Sequence, residues 1–172
     1  MRLIKEIHDV DVHSTTPFPE IFEERLTARA VLFDKDQNIA LMFVGDKEYH
    51  KLPGGGVEAG EDVHTGLARE LREETGCSFS GSKEIGIIKE YRAEMGLLQK
   101  SHGFIAFVEG EKGQPDFDVG ELAHGFSLKW VSVPAALELM ASEKNHADYE
   151  ARFINLRETA FLKTVFSEKL NA

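Results

Sequence analysis

Apolar positions along this chain follow two rhythms. Residues 27–34, TARAVLFD, and 39–44, IALMFV, are near-continuous apolar runs on either side of Asp34-Lys35-Asp36-Gln37-Asn38. A turn cluster between two such runs predicts a hairpin of largely buried strands. Tyr49 to Leu52 forms a further short extended segment before Pro53. Residues 84–94 and 101–109 read as a strand pair, and 126–133, FSLKWVSV, as one more strand. The helical rhythm is clearest over 62–75, where Val63, Leu67 and Leu71 recur every fourth position and form one buried stripe. Asp62 can cap its start, and Gly76 stands where a left-handed cap ends helices. Pro134 opens a helix over AALELMAS at its favoured first position. A last helix spans about 146–169, with Phe153, Ile154, Phe161, Leu162, Val165 and Phe166 as its apolar set. Residues 1–18 read as an extended arm, and 110–125 as a polar loop long enough to suspect a functional role. Strands flanking a central helix, with helices closing the C-terminus, argue for an α/β sandwich. The order of strands in its sheet is not legible at this level.

Composition then removes several classes of function. The 172 residues are 42% hydrophobic, enough for one compact core. The formal net charge is −10. Nonspecific binding to a long nucleic acid requires a basic face, so none is expected. The same excess repels free phosphates, so a phosphate substrate would need a metal to bring it in. Cys77 is the one cysteine, which excludes an intramolecular disulfide and fits a reducing compartment such as the cytoplasm. No window approaches the ~20 apolar residues of a membrane span, and the N-terminus lacks the apolar run of a signal peptide.

The chemistry concentrates between Leu52 and Cys77, LPGGGVEAGEDVHTGLARELREETGC. Gly54, Gly55 and Gly56, with Gly60, allow a backbone to approach a ligand closely. They run toward a helix N-terminus, a place that favours anions. On that helix Glu70, Glu73 and Glu74 stand at i, i+3 and i+4, so at ~100° per residue they share one face. Three bare carboxylates repel each other and raise one another's pKa values. A hard divalent cation such as magnesium prefers these oxygen ligands and shares its shell with water and substrate phosphate. The plainer reading is a solvated acidic face paired with Arg69 and Arg72. The glycine run in front of it weighs against that reading.

These residues resemble the Nudix signature: a glycine, five residues, a glutamate, seven residues, then R-E-U-x-E-E-x-G-U, with U apolar. Gly55 precedes Glu61 by five residues, and seven more lead to Arg69-Glu70-Leu71, Glu73-Glu74, Gly76 and Cys77. Every fixed position matches, and cysteine at the last one packs as a small hydrophobe. Weaker similarity covers most of 27–141. The resemblance implies one Nudix-type α/β/α sandwich with a mixed central sheet across residues 1–172, with 1–26 as an N-terminal arm and 142–172 as a C-terminal helix.

The resemblance also implies roles. Glu70, Glu73 and Glu74 would bind magnesium, with manganese as a substitute. The Gly55 carbonyl and Glu61 would join or support them, and Arg69 would orient a glutamate. Gly54, Gly55 and Gly56 would lie against substrate. The general base would be a box glutamate, Glu70 or Glu73, or an acid of the later loop: Asp116, Asp118 or, by preference, Glu121. Tyr91, Phe104 and Phe18 could stack on a base but read better as packing residues. Trp130 reads as core. His50, His102 and His124, and also Arg92 and Lys100, lie near these segments without a decided role. The expected reaction is hydrolysis of a diphosphate bond. The marks of the ADP-ribose, coenzyme A and dinucleoside polyphosphate types are absent or displaced. A nucleoside triphosphate, or an oxidised one, cleaved to monophosphate and pyrophosphate is therefore the leading substrate. A nucleotide sugar, a dinucleoside polyphosphate and a silent nucleotide-sensing module are the alternatives. Isoprenoid isomerase chemistry would need an additional catalytic cysteine that the chain lacks. A homodimer through the arm or the last helix is compatible with the pattern.

Overall fold

The computed structural model describes residues 2–170 of the chain. Its strands are β1 (Leu3–His8), β2 (Glu23–Phe33), β3 (Ile39–Val44), β4 (Tyr49–Lys51), β5 (Gly54–Gly56), β6 (Ser78–Arg92), β7 (Leu97–Glu109) and β8 (Phe126–Val131). The α-helices are α1 (Val63–Thr75), α2 (Val119–Ala123), α3 (Val133–Glu143) and α4 (Tyr149–Leu170). The sheet runs β1-β6-β7-β2-β3-β4, with β5 on β2 and β8 on β3. β1 with β6 and β2 with β7 pair in parallel, and the other pairs are antiparallel, so the sheet is mixed.

β2 explains why helices cover both sides. Residues 27–33 are buried without a break, as a strand covered on both faces must be. Ala28, Ala30 and Leu32 point one way and pack with Leu67 and Leu71 of α1, with Phe104 and Cys77. Val31 and Phe33 point the other way, into a cluster with Val133 and Met140 of α3 and Phe153, Phe161 and Leu162 of α4. The period of two thus sends alternate side chains into two cores. The result is the α/β/α arrangement with a mixed sheet that the resemblance implied.

Several boundaries differ from the sequence reading. Leu3–His8, expected as part of a free arm, joins the sheet as a parallel edge strand on Ile87–Tyr91. Residues 23–26 likewise belong to β2. Only Ile7 of β1 is buried, so main-chain pairing rather than an apolar pattern seats it. Asp9 then ties the segment down, accepting hydrogen bonds from the Ala93 amide and the Tyr149 hydroxyl. β6 and β7 are longer than the expected pair because the ladder continues through polar residues, from Ser78 opposite Glu109 to Arg92 opposite Leu97. The loop 110–125 contains α2. α3 starts one residue before Pro134, with Ser132 as its cap.

Candidate active site

α1 is held at both ends by the expected caps. The Asp62 carboxylate accepts from the Thr65 amide at 2.8 Å, and Gly76 adopts φ 67°. Asp62 thereby satisfies the Thr65 amide at the helix N-terminus. The glycines differ from expectation. Gly54–Gly56 form β5, laddered on Thr27–Arg29, rather than an open loop. The Gly54 amide donates to Glu74 Oε2 at 2.6 Å, its carbonyl accepts from Arg29, and the Gly56 carbonyl accepts from Arg69 at 2.8 Å. What Gly55 supplies is space. A Cβ there would strike the Glu70 carboxylate.

Arg69 organises the face of α1. Its guanidinium donates to Glu61 at 3.0 Å, Glu70 at 2.9 Å and Glu73 at 3.2 Å. One guanidinium held by several carboxylates has less freedom than any single exposed pair. Its proton is held above the usual arginine range, first by the hydrogen bond to Glu61, while the same bond holds Glu61 below the carboxylate range. Burial pushes the Glu70 carboxyl up, and the Glu74 carboxylate adds to that push.

Glu74 stands elsewhere. It is 1% exposed and lies behind β5, with Lys51 Nζ 2.8 Å from Oε1. Arg29 is buried beneath the same turn, where it reaches the carbonyls of Leu52 and Gly54. Burial, then the neighbouring Arg157, hold the Arg29 pKa below the usual arginine value. Sequence reasoning missed both Lys51 and Arg29. A basic residue inside a strand carries no signal of its own, and only the return of β5 onto β2 shows what it holds.

Glu58, Arg69, Glu70, Glu73, Asp116, Phe117, Asp118 and Glu121 line a cleft of about 550 Å³. The polar loop therefore comes to the face of α1 as expected, anchored by the Asp116 amide on the Glu73 carbonyl at 2.7 Å. Glu121 sits in a capping box, bonded to the Asp118 amide at 3.0 Å, and burial raises its pKa, with Glu74 and Asp118 adding to the push. The other candidates lie away from the cleft. His50 pairs with Glu143, His124 with Asp46, Lys100 with Glu24, and His102 stands 3.3 Å from Glu84. Arg92 is buried against Glu90 and Glu150. Phe104 is core, and Tyr91 stacks on His8 beside Phe18. Trp130 is only half-buried.

Among the described residues, no three Asp, Glu, His or Cys side chains stand as a ready-made metal cluster. Arg69 lies between Glu70 and Glu73, and Lys51 holds Glu74. The donor set nevertheless fits a hard cation. Six carboxylates face one guanidinium in the cleft, the donors are all oxygen, and Glu70 and Glu121 both resist ionisation there.

The comparisons with known proteins agree with this arrangement. The family model for the NUDIX domain matches residues 23–155. The chain belongs to the NUDIX family. It is thus an enzyme of the Nudix hydrolase class, a pyrophosphohydrolase family whose members act on small nucleotides and generally use divalent metal ions. A Bacillus subtilis (strain 168) protein named "Putative 8-oxo-dGTP diphosphatase" is 33% identical over 112 residues, covering 65% of this chain and 68% of that protein. Nudix hydrolase 7 of Arabidopsis thaliana is 29% identical over 104 residues, 60% of this chain and 35% of that one. Among solved structures, a NUDIX hydrolase from Nitrosomonas europaea superposes with TM-score 0.64 at 21% identity, covering 86% of this chain and 91% of that one. A MutT protein from Methanosarcina mazei Go1 gives TM-score 0.59 at 18% identity, covering 88% and 99%. At these identities the Nudix likeness of the structures is one of fold. No helix among the described residues is long and apolar enough to cross a membrane.

Proposed function

We propose that this Nudix hydrolase cleaves nucleoside triphosphates, oxidised ones included, to the monophosphate and pyrophosphate, with magnesium as its cation and manganese as a substitute. The observation that carries the reading is the cleft itself, in which six carboxylates surround one arginine at the end of a complete Nudix box. The name of the Bacillus subtilis relative supports the choice of a nucleoside triphosphate. Glu70 and Glu73 would hold the metal with the Gly55 carbonyl, and Glu74 would join them by giving up Lys51. When bound, the metal neutralises charge on the diphosphate oxygens and makes a water more acidic. Arg69 fixes Glu70 and Glu73 against each other and keeps Glu61 beside them. Glu121 receives the proton of the attacking water as the phosphorus–oxygen bond breaks toward the leaving pyrophosphate. A carboxylate with a raised pKa suits that task at neutral pH. The glycines act by shape: Gly55 leaves room for Glu70, and Gly54 links Arg29 to Glu74. The single cysteine is buried, which suits a cytoplasmic enzyme.

Purified protein incubated with magnesium, with manganese and with a chelator tests the reading. The panel holds nucleoside triphosphates, their 8-oxo forms, nucleotide sugars and dinucleoside polyphosphates, and chromatography resolves the products. Metal-dependent release of monophosphate and pyrophosphate from a triphosphate is expected. Cleavage of only a nucleotide sugar or dinucleoside polyphosphate would move the substrate class. Inertness toward the whole panel with either metal would sink the proposal and favour a nucleotide-sensing module.

A further inference from the structure

The loop that closes the cleft has a second side. Residues 112–117 and β8 border an open pocket of about 450 Å³, whose wall includes Lys112, Gln114, Phe117, Phe126, Ser127 and Trp130. Phe117 lines both cavities, so they adjoin across one aromatic side chain. Their chemistry is opposite. Among the described residues no carboxylate lines the pocket. Its one charged side chain, Lys112, is already engaged, 2.5 Å from Asp34 and 4.0 Å from the centroid of the Trp130 ring. Phe117 meets Phe126 edge to face at 6.1 Å.

Two features make this more than a gap under a loop. The wall is anchored to the end of α1. Besides the bond from Asp116 to Glu73, the backbones of Gly76, Gly113 and Gln114 pack so closely that a Cβ on either glycine would strike main chain. And the pocket keeps polar groups in reserve: neither the Gln114 amide nor the Ser127 hydroxyl makes a side-chain hydrogen bond among the described residues. Aromatic walls with a spare amide and hydroxyl suit a flat heterocycle that has donors and acceptors on its edge. The volume lies within the roughly 300–1,000 Å³ of small-molecule sites.

We propose that this pocket receives the nucleobase of the substrate whose phosphates occupy the adjoining cleft. Phe117, Phe126 and Trp130 supply the apolar and aromatic contacts, and Gln114 and Ser127 discriminate between base edges. The assignment rests on the cleft being a nucleotide hydrolase site. An enzyme built this way separates bases by hydrogen bonds that a wrong edge leaves unpaired.

Trp130 is the chain's one tryptophan and lines this pocket, so its emission can follow binding there. The full-length protein in chelator is titrated with nucleosides and nucleoside monophosphates of each base, 8-oxoguanosine included. Ribose 5-phosphate and pyrophosphate serve as base-free controls. A saturable change in Trp130 emission with base-bearing ligands, absent with the controls, is expected. Gln114→Ala and Ser127→Ala should each weaken that response and raise KM for the preferred nucleotide about tenfold with kcat nearly constant, and narrow the preference between bases. Nucleotide hydrolysis with Trp130 silent to every base, or equally responsive to the controls, overturns the pocket and leaves the cleft reading intact. Failure of the cleft reading looks different: no nucleotide is cleaved with either metal. A base-dependent Trp130 response in that case still supports a nucleobase site, and its absence removes both.

Discussion

Two groups of charges lie on opposite faces of the central sheet, and they are built by opposite rules. On the α4 side, Glu90, Glu150 and Glu158 pair with Arg92 and Arg157, and Arg29, bonded to the Leu52 and Gly54 carbonyls, feels the charges of Arg157 and Glu158. Glu90, Glu158, Arg92 and Arg157 are at most 1% exposed. Arg157 bonds Glu90 at 3.0 Å and Glu158 at 2.5 Å, Arg92 bonds Glu90 at 2.8 Å and Glu150 at 2.7 Å, and Gln99 adds a further donor to Glu90. On the α1 side, six carboxylates share the cleft with Arg69, and two of them are pushed toward protonation by burial. A buried network is tolerable when most of its charges are matched and hydrogen-bonded, and here Arg29 Nε, Arg92 Nε and Glu158 Oε2 are buried without a hydrogen-bond partner. A cleft that leaves charges unmatched has a use for the mismatch, which on the proposed function is a divalent cation. Burial and sign balance, not the mere presence of Glu and Arg, separate structural charges from chemical ones.

The comparison can be broken from either side. On the cleft side, Glu70→Gln and Glu73→Gln should each cut kcat by about 10³-fold, equivalent to ~4 kcal/mol of transition-state stabilisation, while thermal unfolding without metal shows no loss of stability. A drop in Tm as large as that of a core variant would show the carboxylates to be structural. On the network side, Arg157→Met should destabilise by about 3–5 kcal/mol in denaturant unfolding, because buried Glu158 loses its arginine and Glu90 keeps Arg92 and Gln99. The folded fraction should keep its kcat; a folded protein without activity would mean that the network serves the reaction directly.

Two smaller effects sharpen the contrast. Magnesium at 100 times its Kd should stabilise the protein by ~2.7 kcal/mol through binding to the native state alone, and Glu73→Gln should abolish most of that shift. An equal shift in the variant would place the cation elsewhere. The smallest effect is in acid. Burial pushes Glu90 up, but Arg157 and Arg92 outweigh it, so its folded pKa lies below the ordinary carboxylate value. The stabilisation from Glu90 is therefore present above the unfolded pKa of ~4.3 and is lost as pH falls through the lower folded pKa. Chemical unfolding followed from pH 6 downward should show Glu90→Gln less pH-dependent than the parent. Equal slopes would mean that Glu90 does not titrate between the two states.

Legibility varied by region for physical reasons. α1 was readable to the residue, because its caps and stripe are local features and Asp62 and Gly76 fulfil both expectations. The runs of β2 and β3 were equally plain, but the two strands meet only at Phe33 and Ile39, and their long ladders are with β7 and β8. β1 was not, since an edge strand seated by its main chain needs no apolar alternation. In the site, the spacing of Glu70 and Glu73 puts them on one helix face, the Nudix resemblance points to Arg69 and Glu121, and all four line one cleft. Lys51 and Arg29 were missed because each is an ordinary basic residue until β5 folds over it. Trp130 packs against the α1-side core as its pattern implies, and its open side lines the pocket, which depends on how the loop after β7 lies against β8.

The sequence by itself determined the family, the box helix with both its caps and the carboxylates that share one face of it, because a box with fixed spacing on a helix is a local object. Only the tertiary structure decided which carboxylates share the cleft and which one, Glu74, turns inward to Lys51. It alone brought Arg157 to Glu90 and Arg92 to Glu150, 67 and 58 residues away along the chain. Those outcomes depend on burial and on contacts between distant segments, and burial is a property of the packed sheet rather than of any stretch of residues.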